Sequence, residues 1–394
     1  MAVSGLRESY VGVPPGMNAK RVMYVVPVLA PYLAARFREL AKVAAFELNV
    51  VIESRLFPER PGWVPVEIAG ATVIPLNSPQ WTKRISDKQS VFNNAYTKAL
   101  PLGLIPAIIR QRPAVVVVCN PTQYCLALVA RLFSRFRLGV VLEDTPTSEG
   151  RKKPWVQRLR ALMYRFATFF VCFSQDADDY ARSIAPAVHR YRSSWSIDAD
   201  WLQLPRVESS TEQQVRVLYV GALIELKGVA QLIAAWHALG ARSANAELIL
   251  VGDGELRPEL ESMVVSSGLT NVIFVGSVPY DQVRGHYLSA DIFVLPTLQD
   301  LFSLVVTEAM AMGLPVITTV YNGARELVVE DVTGYMCDPL IADSLRAALE
   351  RALLARAKLG KMGLAARSRM AELTHARVMA ETVKILDAEV RQCQ

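Results

Sequence analysis

Asp300 and Glu308 stand with seven residues between them in Asp300-Leu301-Phe302-Ser303-Leu304-Val305-Val306-Thr307-Glu308-Ala309-Met310-Ala311, just after a short apolar run that ends at Leu295. If a helix starts near Phe302 or Ser303, Asp300 and the first free amides sit at its N-terminus. Glu308 then lies one to two turns inside. A carboxylate in that position accepts both hydroxyls of a ribose, and the free amides hold a phosphate or sugar oxygen. Taken alone, an Asp before a helix is more often an N-cap. Earlier in the chain a β-rich run, residues 215–220, leads into Gly221-Ala222-Leu223, then Glu225, Lys227 and Gly228, then a helical stretch. A lysine there can neutralise a diphosphate with help from the helix dipole. A solvated cap is the simpler explanation of a Lys-Gly pair in isolation.

The elements that must hold these residues form two series. From Arg21 onward, β-rich runs at 22–28, 48–52, 72–76, 114–118, 138–142 and 168–173 alternate with amphipathic stretches at 32–46, 95–111, 122–136, 154–166 and 175–184. Alternation of this kind predicts parallel βα units. Runs such as AVVVV and FFVCF are apolar throughout, as expected of strands covered on both faces. The polar stretch LPRVESSTEQQ reads as a linker. A second series follows, with strands at 215–220, 247–251, 272–275, 292–295 and 315–318 and helices between them. The expected architecture is α/β, with two doubly wound, Rossmann-like domains facing across a cleft at the carboxyl ends of their strands. Residues 1–205 and 206–375 would form the two domains, and 376–394 the end of a helix, spanning roughly 371–390, long enough to cross back over the linker.

Composition is that of a folded chain, with 52% hydrophobic and 20% charged residues among 394. Four histidines, His189, His237, His286 and His375, lack ligand spacing, so no metal site is expected. Asp198-Ala199-Asp200 has the spacing of a metal-binding Asp-x-Asp but follows no apolar strand, and reads as a junction loop. Gly252-Asp253-Gly254 lacks the third glycine of a dinucleotide fingerprint. The five cysteines have no CxxC spacing and read as reduced thiols. No apolar run reaches the length of a membrane span, and the first residues do not resemble a signal peptide, so the expected location is the cytoplasm. Charge is divided unevenly: residues 1–205 carry 26 Lys+Arg against 15 Asp+Glu, whereas the whole chain has 43 against 37. The first half therefore suits an anionic neighbour, and attachment to the inner face of an anionic membrane is the expectation. The basic run Arg151-Lys152-Lys153 leads into a helix on which Trp155, Val156, Leu159, Leu162, Met163 and Phe166 share one arc. Packing of that arc on the sheet is the simpler expectation.

The 300–311 segment resembles the signature of glycosyltransferase family 4, which has two acidic residues at this spacing followed by Ala-Met-Ala and Gly-x-Pro-Val. Gly313-Leu314-Pro315-Val316, Asn322-Gly323 with Glu326, Gly334-Tyr335 with Asp338-Pro339, Leu250-Val251-Gly252-Asp253-Gly254 and Phe274-Val275-Gly276 fit the same pattern over residues 215–339. The resemblance implies a GT-B fold and a retaining, metal-independent transferase without cofactor, using a UDP-, GDP- or dTDP-sugar as donor. It assigns Lys227 to the donor diphosphate, Glu308 to the ribose, and Asp300 to the transferred sugar. Gly221 and the amides of Phe302, Ser303 and Leu304 would line the donor, with Val278 near the base. A glycan or lipid-linked acceptor is implied on the first domain, and no nucleic acid.

This chain departs from the pattern at several points. The first acid is Asp300 where the family usually has Glu. Ala222 replaces an Arg commonly found beside the glycine, and Arg325 or an arginine of the first domain is a candidate to supply the missing cation. Pro27-Val28-Leu29-Ala30 replaces a pair of glycines after the first strand. Glu143-Asp144 stands where many members carry a His, and either binds acceptor hydroxyls or stabilises charge on the sugar ring, or simply caps a helix or loop. Together these departures leave open a second reading, a catalytically inactive GT-B protein that binds a nucleotide sugar or acts as a scaffold.

Overall fold

The computed structural model describes residues 20–54, 67–76, 78–84, 95–143, 153–203, 214–341 and 343–393. Its first domain is a seven-stranded parallel sheet. The strands are β1 (Arg21–Val26), β2 (Glu47–Ile52), β3 (Ala71–Pro75), β6 (Val115–Val118), β7 (Arg137–Leu142), β8 (Phe169–Cys172) and β9 (His189–Arg192), in the order β3-β2-β1-β6-β7-β8-β9. Alternate residues of β1 enter different cores: Val22, Tyr24 and Val26 join one apolar cluster, and Met23 and Val25 the other. The run RVMYVV is nearly all apolar because both faces of the strand are covered. Helices α1 (Pro31–Val43), α2 (Leu104–Gln111), α3 (Pro121–Ala130), α4 (Pro154–Tyr164) and α5 (Gln175–Ile184) provide that cover. Starts are marked by Pro at the first turn of α1, α3 and α4, and by the Asn120 and Ser174 side chains capping Gln123 N and Ala177 N.

The second domain contains β10 (Val215–Val220), β11 (Ala246–Val251), β12 (Val272–Gly276), β13 (Ile292–Leu295), β14 (Val316–Thr319) and β15 (Gly334–Cys337), all parallel, in the order β12-β11-β10-β13-β14-β15. Renumbered from its own first strand this order is 3-2-1-4-5-6, that of a dinucleotide-binding Rossmann sheet. Its helices are α6 (Val229–Leu239), α7 (Arg257–Ser266), α8 (Tyr280–Ser289), α9 (Leu304–Ala311), α10 (Ser344–Leu354) and α11 (Leu359–Ala371). The last helix, α12 (His375–Arg391), buries Val378, Met379, Val383, Leu386 and Val390 in the first domain's core. There Glu389, 1% exposed, ion-pairs with Arg137 of β7 and accepts from Tyr191 Oη at 2.8 Å.

Local expectation fails at residues 95–111. Ala95–Ala99 form β5, paired antiparallel with β4 (Gln80–Arg84), and only Leu104–Gln111 are helical. Pro101 and Pro106 confine the helix to the end of the stretch. The polar strand β9, HRYR, and the short β15 also escape periodicity, since neither alternates nor runs apolar. The linker residues 204–213 lie outside the described residues.

Candidate functional site

The switch point of the second sheet lies between β10 and β13, whose carboxyl ends carry the 221–228 and 296–303 loops. Glycine brings these loops together. Gly228 has φ +69°, and a Cβ there would fall 2.0 Å from Pro296 O. A Cβ on Gly323 would fall 1.8 Å from Leu301 O, so the 321–323 turn can lie against the 300–302 loop only without a side chain. Asp300 N donates to Tyr321 O at 3.1 Å and Gly323 N to Asp300 O at 2.9 Å, which fixes that contact.

In this frame Lys227 Nζ forms an ion pair with Asp300 Oδ2, both side chains being about 15% exposed. The second Asp300 oxygen accepts from Phe302 N at 3.2 Å. Ser303 is the N-cap residue of α9 but gives no side-chain cap; its hydroxyl is buried without a hydrogen-bond partner. The first-turn amides of α9 therefore have no cap from within the helix, and together with the Ser303 hydroxyl they offer donors to an incoming oxygen. Inside the helix Glu308, 7% exposed, accepts from Tyr287 Oη at 3.0 Å and Tyr280 Oη at 3.1 Å. Burial raises its pKa, and the two tyrosine bonds and the Arg284 charge oppose that shift. Tyr280 is 61% exposed, so the outer of the two partners faces solvent. Gly221 directly follows β10, its amide donating to Val251 O at 3.0 Å. Val278 is partly buried in the loop before α8.

Facing this loop across the cleft is a cavity of about 560 Å³. Asp300, Phe302 and Leu304 line one side; Glu143, from the end of β7, and Arg36 of α1 are among the residues lining the other. The structure thus brings Asp300, Phe302, Leu304 and Glu143 to one space, and Lys227 reaches it through Asp300. Glu308, Gly221 and Val278 do not line it, and Asp144 lies outside the described residues. Arg325 is committed elsewhere: its Nη1 and Nη2 donate to Asp176 of α5 at 2.7 and 2.8 Å. Beside it Glu326 accepts from Gln175 N and Arg192, both at 3.1 Å, so a 3₁₀ turn of one domain caps a helix of the other. The Asp198-x-Asp200 stretch begins a 3₁₀ turn in which Asp198 accepts from Asp200 N at 3.1 Å. Among the described residues no group of three or more His, Cys, Asp or Glu converges on one point.

Sequence reasoning missed Arg36, Trp195, Tyr280 and Tyr287. Each sits in an ordinary amphipathic or loop context, and only the fold gathers them. A correction concerns α4, whose sequence suggested an apolar face packed on the sheet. Arg160 is instead buried against Tyr164, while Trp155, Leu159, Leu162 and Phe166 are 64%, 48%, 56% and 60% exposed. Arg151 and Lys152 lie outside the described residues. No described helix is long and apolar enough to cross a membrane.

Residues 203–369 match the family model described as Glycosyl transferases group 1. A glycosyltransferase of Methanocaldococcus jannaschii is 34% identical over 36% of this chain and 36% of its own. The lipopolysaccharide 1,2-N-acetylglucosaminetransferase of Salmonella typhimurium is 31% identical over 36% of this chain and 40% of its own. The chain thus spans between about a third and two fifths of the length of the curated relatives it matches. Among solved structures, the sucrose-phosphate synthase of Thermosynechococcus elongatus superposes with a TM-score of 0.72 over 95% of this chain and all of its own, at 18% identity. The fold is GT-B, two Rossmann-like domains across a cleft, and the matched span supports a glycosyltransferase.

Proposed function

We propose that the protein is a retaining, metal-independent glycosyltransferase that moves a sugar from a nucleoside diphosphate donor, held by the second domain, to a glycan or lipid-linked acceptor in the cleft. The observation that carries this reading is the Lys227–Asp300 pair beside the uncapped start of α9. On donor binding, Lys227 would shift from Asp300 toward the diphosphate, where it and the first-turn amides stabilise the charge that grows as the nucleotide departs. Asp300, released, would accept sugar hydroxyls. Glu308 would hold the ribose, the exposed Tyr280 giving up its bond to make room. Glu143 faces the same cavity and could stabilise positive charge on the sugar ring. Among the described residues no side chain there is an evident covalent nucleophile, which favours attack from the leaving-group face assisted by the donor phosphate.

A panel of UDP-, GDP- and dTDP-sugars, with excess EDTA present, tests this reading. One donor should be hydrolysed slowly without acceptor and consumed faster with one. Donor binding with no turnover under any condition would favour the inactive scaffold, and loss of turnover in EDTA restored by Mn²⁺ would remove the metal-independent mechanism.

We further propose attachment to the cytoplasmic face of an anionic membrane through α4. Its exposed apolar stripe is flanked by exposed Lys153, Arg158 and Arg165, and Leu132 and Phe133, 79% and 68% exposed, follow α3 nearby. Arg131, next to that pair, donates to Phe166 O at 2.7 Å and ties the two apolar sites together. Apolar insertion with basic residues around it suits an interfacial helix, each cation adding on the order of 1 kcal/mol near anionic lipid. Vesicles containing phosphatidylglycerol should sediment the protein, neutral vesicles should not, and Leu159→Glu with Phe166→Glu should abolish binding. Equal binding to both lipids would reject the proposal.

A further inference from the structure

The side of the cleft cavity facing the donor loop is built around a buried cation. Arg36 projects from α1 and lines the cavity, yet it is only 6% exposed. A guanidinium carries five N–H donors and no acceptor. Among the described residues Arg36 has no recorded ion pair or hydrogen bond; its recorded contacts are two aromatic rings, Phe173 and Trp195, with Cζ 5.0 Å from each centroid. Those rings stack on each other 5.1 Å apart, and Trp195 Nε1 is itself buried without a partner. Burial lowers the Arg36 pKa, and the charges of Tyr24, Glu143, Tyr32 and Cys119 oppose that shift. Buried arginines are ordinarily paired, because several kcal/mol of desolvation otherwise go uncompensated. Trp195 lines the same cavity, so two of its donors, the Arg36 guanidinium and Trp195 Nε1, have no acceptor within hydrogen-bonding distance among the described residues.

Apolar and aromatic side chains form most of the remaining wall, among them Tyr24, Tyr32, Phe37 and Phe302. The polar groups of the lining, Glu143, Ser193, Gln299, Asp300 and Thr382, are outnumbered by this apolar surface. It suits an apolar group well, and it shields an anion on Arg36 from water, which strengthens their attraction.

We propose that Arg36 is the anion-binding residue of the acceptor pocket, and that the acceptor is an amphiphile: an oxyanion seated on Arg36 and Trp195 Nε1, joined to an apolar body packed on the aromatic wall. The word acceptor rests on the transferase reading, whereas the site itself does not. It narrows the acceptor from a free glycan to an apolar molecule carrying phosphate or a similar anion near the hydroxyl that receives the sugar. Cation–π contact keeps the guanidinium in place while the pocket is empty.

Titration calorimetry on the full chain, without donor, tests the site with three probes: phenyl phosphate, inorganic phosphate and benzyl alcohol. Phenyl phosphate should bind more tightly than either of the others. Arg36→Met, which keeps the apolar stem, should weaken phenyl phosphate by roughly tenfold or more, the loss of a charge-assisted contact. Arg36→Lys should fall between the two, keeping charge without the planar fork. If Arg36→Met fails to fold by thermal unfolding, Trp195→Phe supplies the alternative, removing one donor and weakening phenyl phosphate by a smaller factor. No binding of phenyl phosphate to the unaltered protein, equal binding of benzyl alcohol, or indifference to both substitutions overturns the proposal. A protein that binds phenyl phosphate through Arg36 yet consumes no donor would lose the transferase reading and keep this site. Donor turnover with no phenyl phosphate site would do the reverse.

Discussion

The two domains share a chain fold but hold their chemistry by different means. In the second domain the 221–228 and 296–303 loops are placed by backbone: Gly228 against Pro296, Gly323 against Leu301, Asp300 bonded at both N and O to the 321–323 turn. A wrong residue there collides with a carbonyl, so the geometry is written as short motifs with fixed spacing. The first domain gathers side chains from distant elements instead: Arg36 from α1, Glu143 after β7, Phe173 after β8 and Trp195 after β9. No local spacing marks them, and the family match stops short of them. On the proposed function, a cleft built this way would keep one donor chemistry while the opposite wall is remodelled for a different acceptor.

The sharpest way to break this contrast is at Lys227. Lys227→Ala should lower transfer by ~10²- to 10³-fold with the fold intact, as for one lost preorganised charge-stabilising group, measured as kcat with saturating donor. Near-normal kcat would move diphosphate binding out of the backbone-placed loop. Glu308→Gln comes next. A charge-assisted bond to the ribose is worth roughly 1.5 to 3 kcal/mol, so donor Kd should rise about 10- to 100-fold while kcat changes less. An unchanged Kd would leave Glu308 as a buried partner of Tyr280 and Tyr287 only.

Much of the fold could be read from residue order because many of its strands are continuously apolar: AVVVV and FFVCF, short and rich in β-branched or aromatic residues, read as strands with both faces covered. Reading failed where burial is one-sided. The 95–111 stretch contains apolar residues at helical intervals, yet its first five residues pair with β4. In α4 the spacing of Trp155, Leu159, Leu162 and Phe166 is that of a core face, and sequence carries nothing that distinguishes a face turned to a sheet from one turned outward. Donor-loop residues were legible for the reason given above. Arg36 was not, because an arginine on an amphipathic helix ordinarily reaches solvent.

A prediction of intermediate size tests how α12 joins the domains. His375 Nδ1 lies 2.7 Å from Ser196 Oγ at the crossing point, and burial pulls its pKa from 6.5 to about 4, with Arg36 assisting and Asp198 and Glu39 opposing. The folded protein thus holds it neutral where the unfolded chain is protonated. Its contribution is fully present above pH 6.5 and is lost as pH falls toward about 4. From that shift the expected loss is about 2 to 3 kcal/mol. Urea unfolding at pH 7 and pH 5 should show a drop in the native protein and a smaller one in His375→Gln. Identical drops would place the acid sensitivity elsewhere.

The smallest expected effect decides whether Arg325 belongs to the donor site or to the join between domains. Its guanidinium grips Asp176 with two bonds, at 2.7 and 2.8 Å, and donates also to Val320 O at 2.9 Å. Both side chains are about a third exposed, so solvent screens the pair and its contribution should be only about 0.5 to 1 kcal/mol despite the bidentate geometry. If the pair is a clamp, Arg325→Ala and Asp176→Asn should lower stability by similar small amounts. The double variant should then be little worse than either single one, since each removes the same interaction. Donor Kd should stay within a few fold in all three. If Arg325 instead supplies the cation missing at Ala222, Arg325→Ala alone should weaken the donor. Asp176→Asn, by freeing the guanidinium, should leave binding unchanged or tighten it, and the two single variants would then differ in sign.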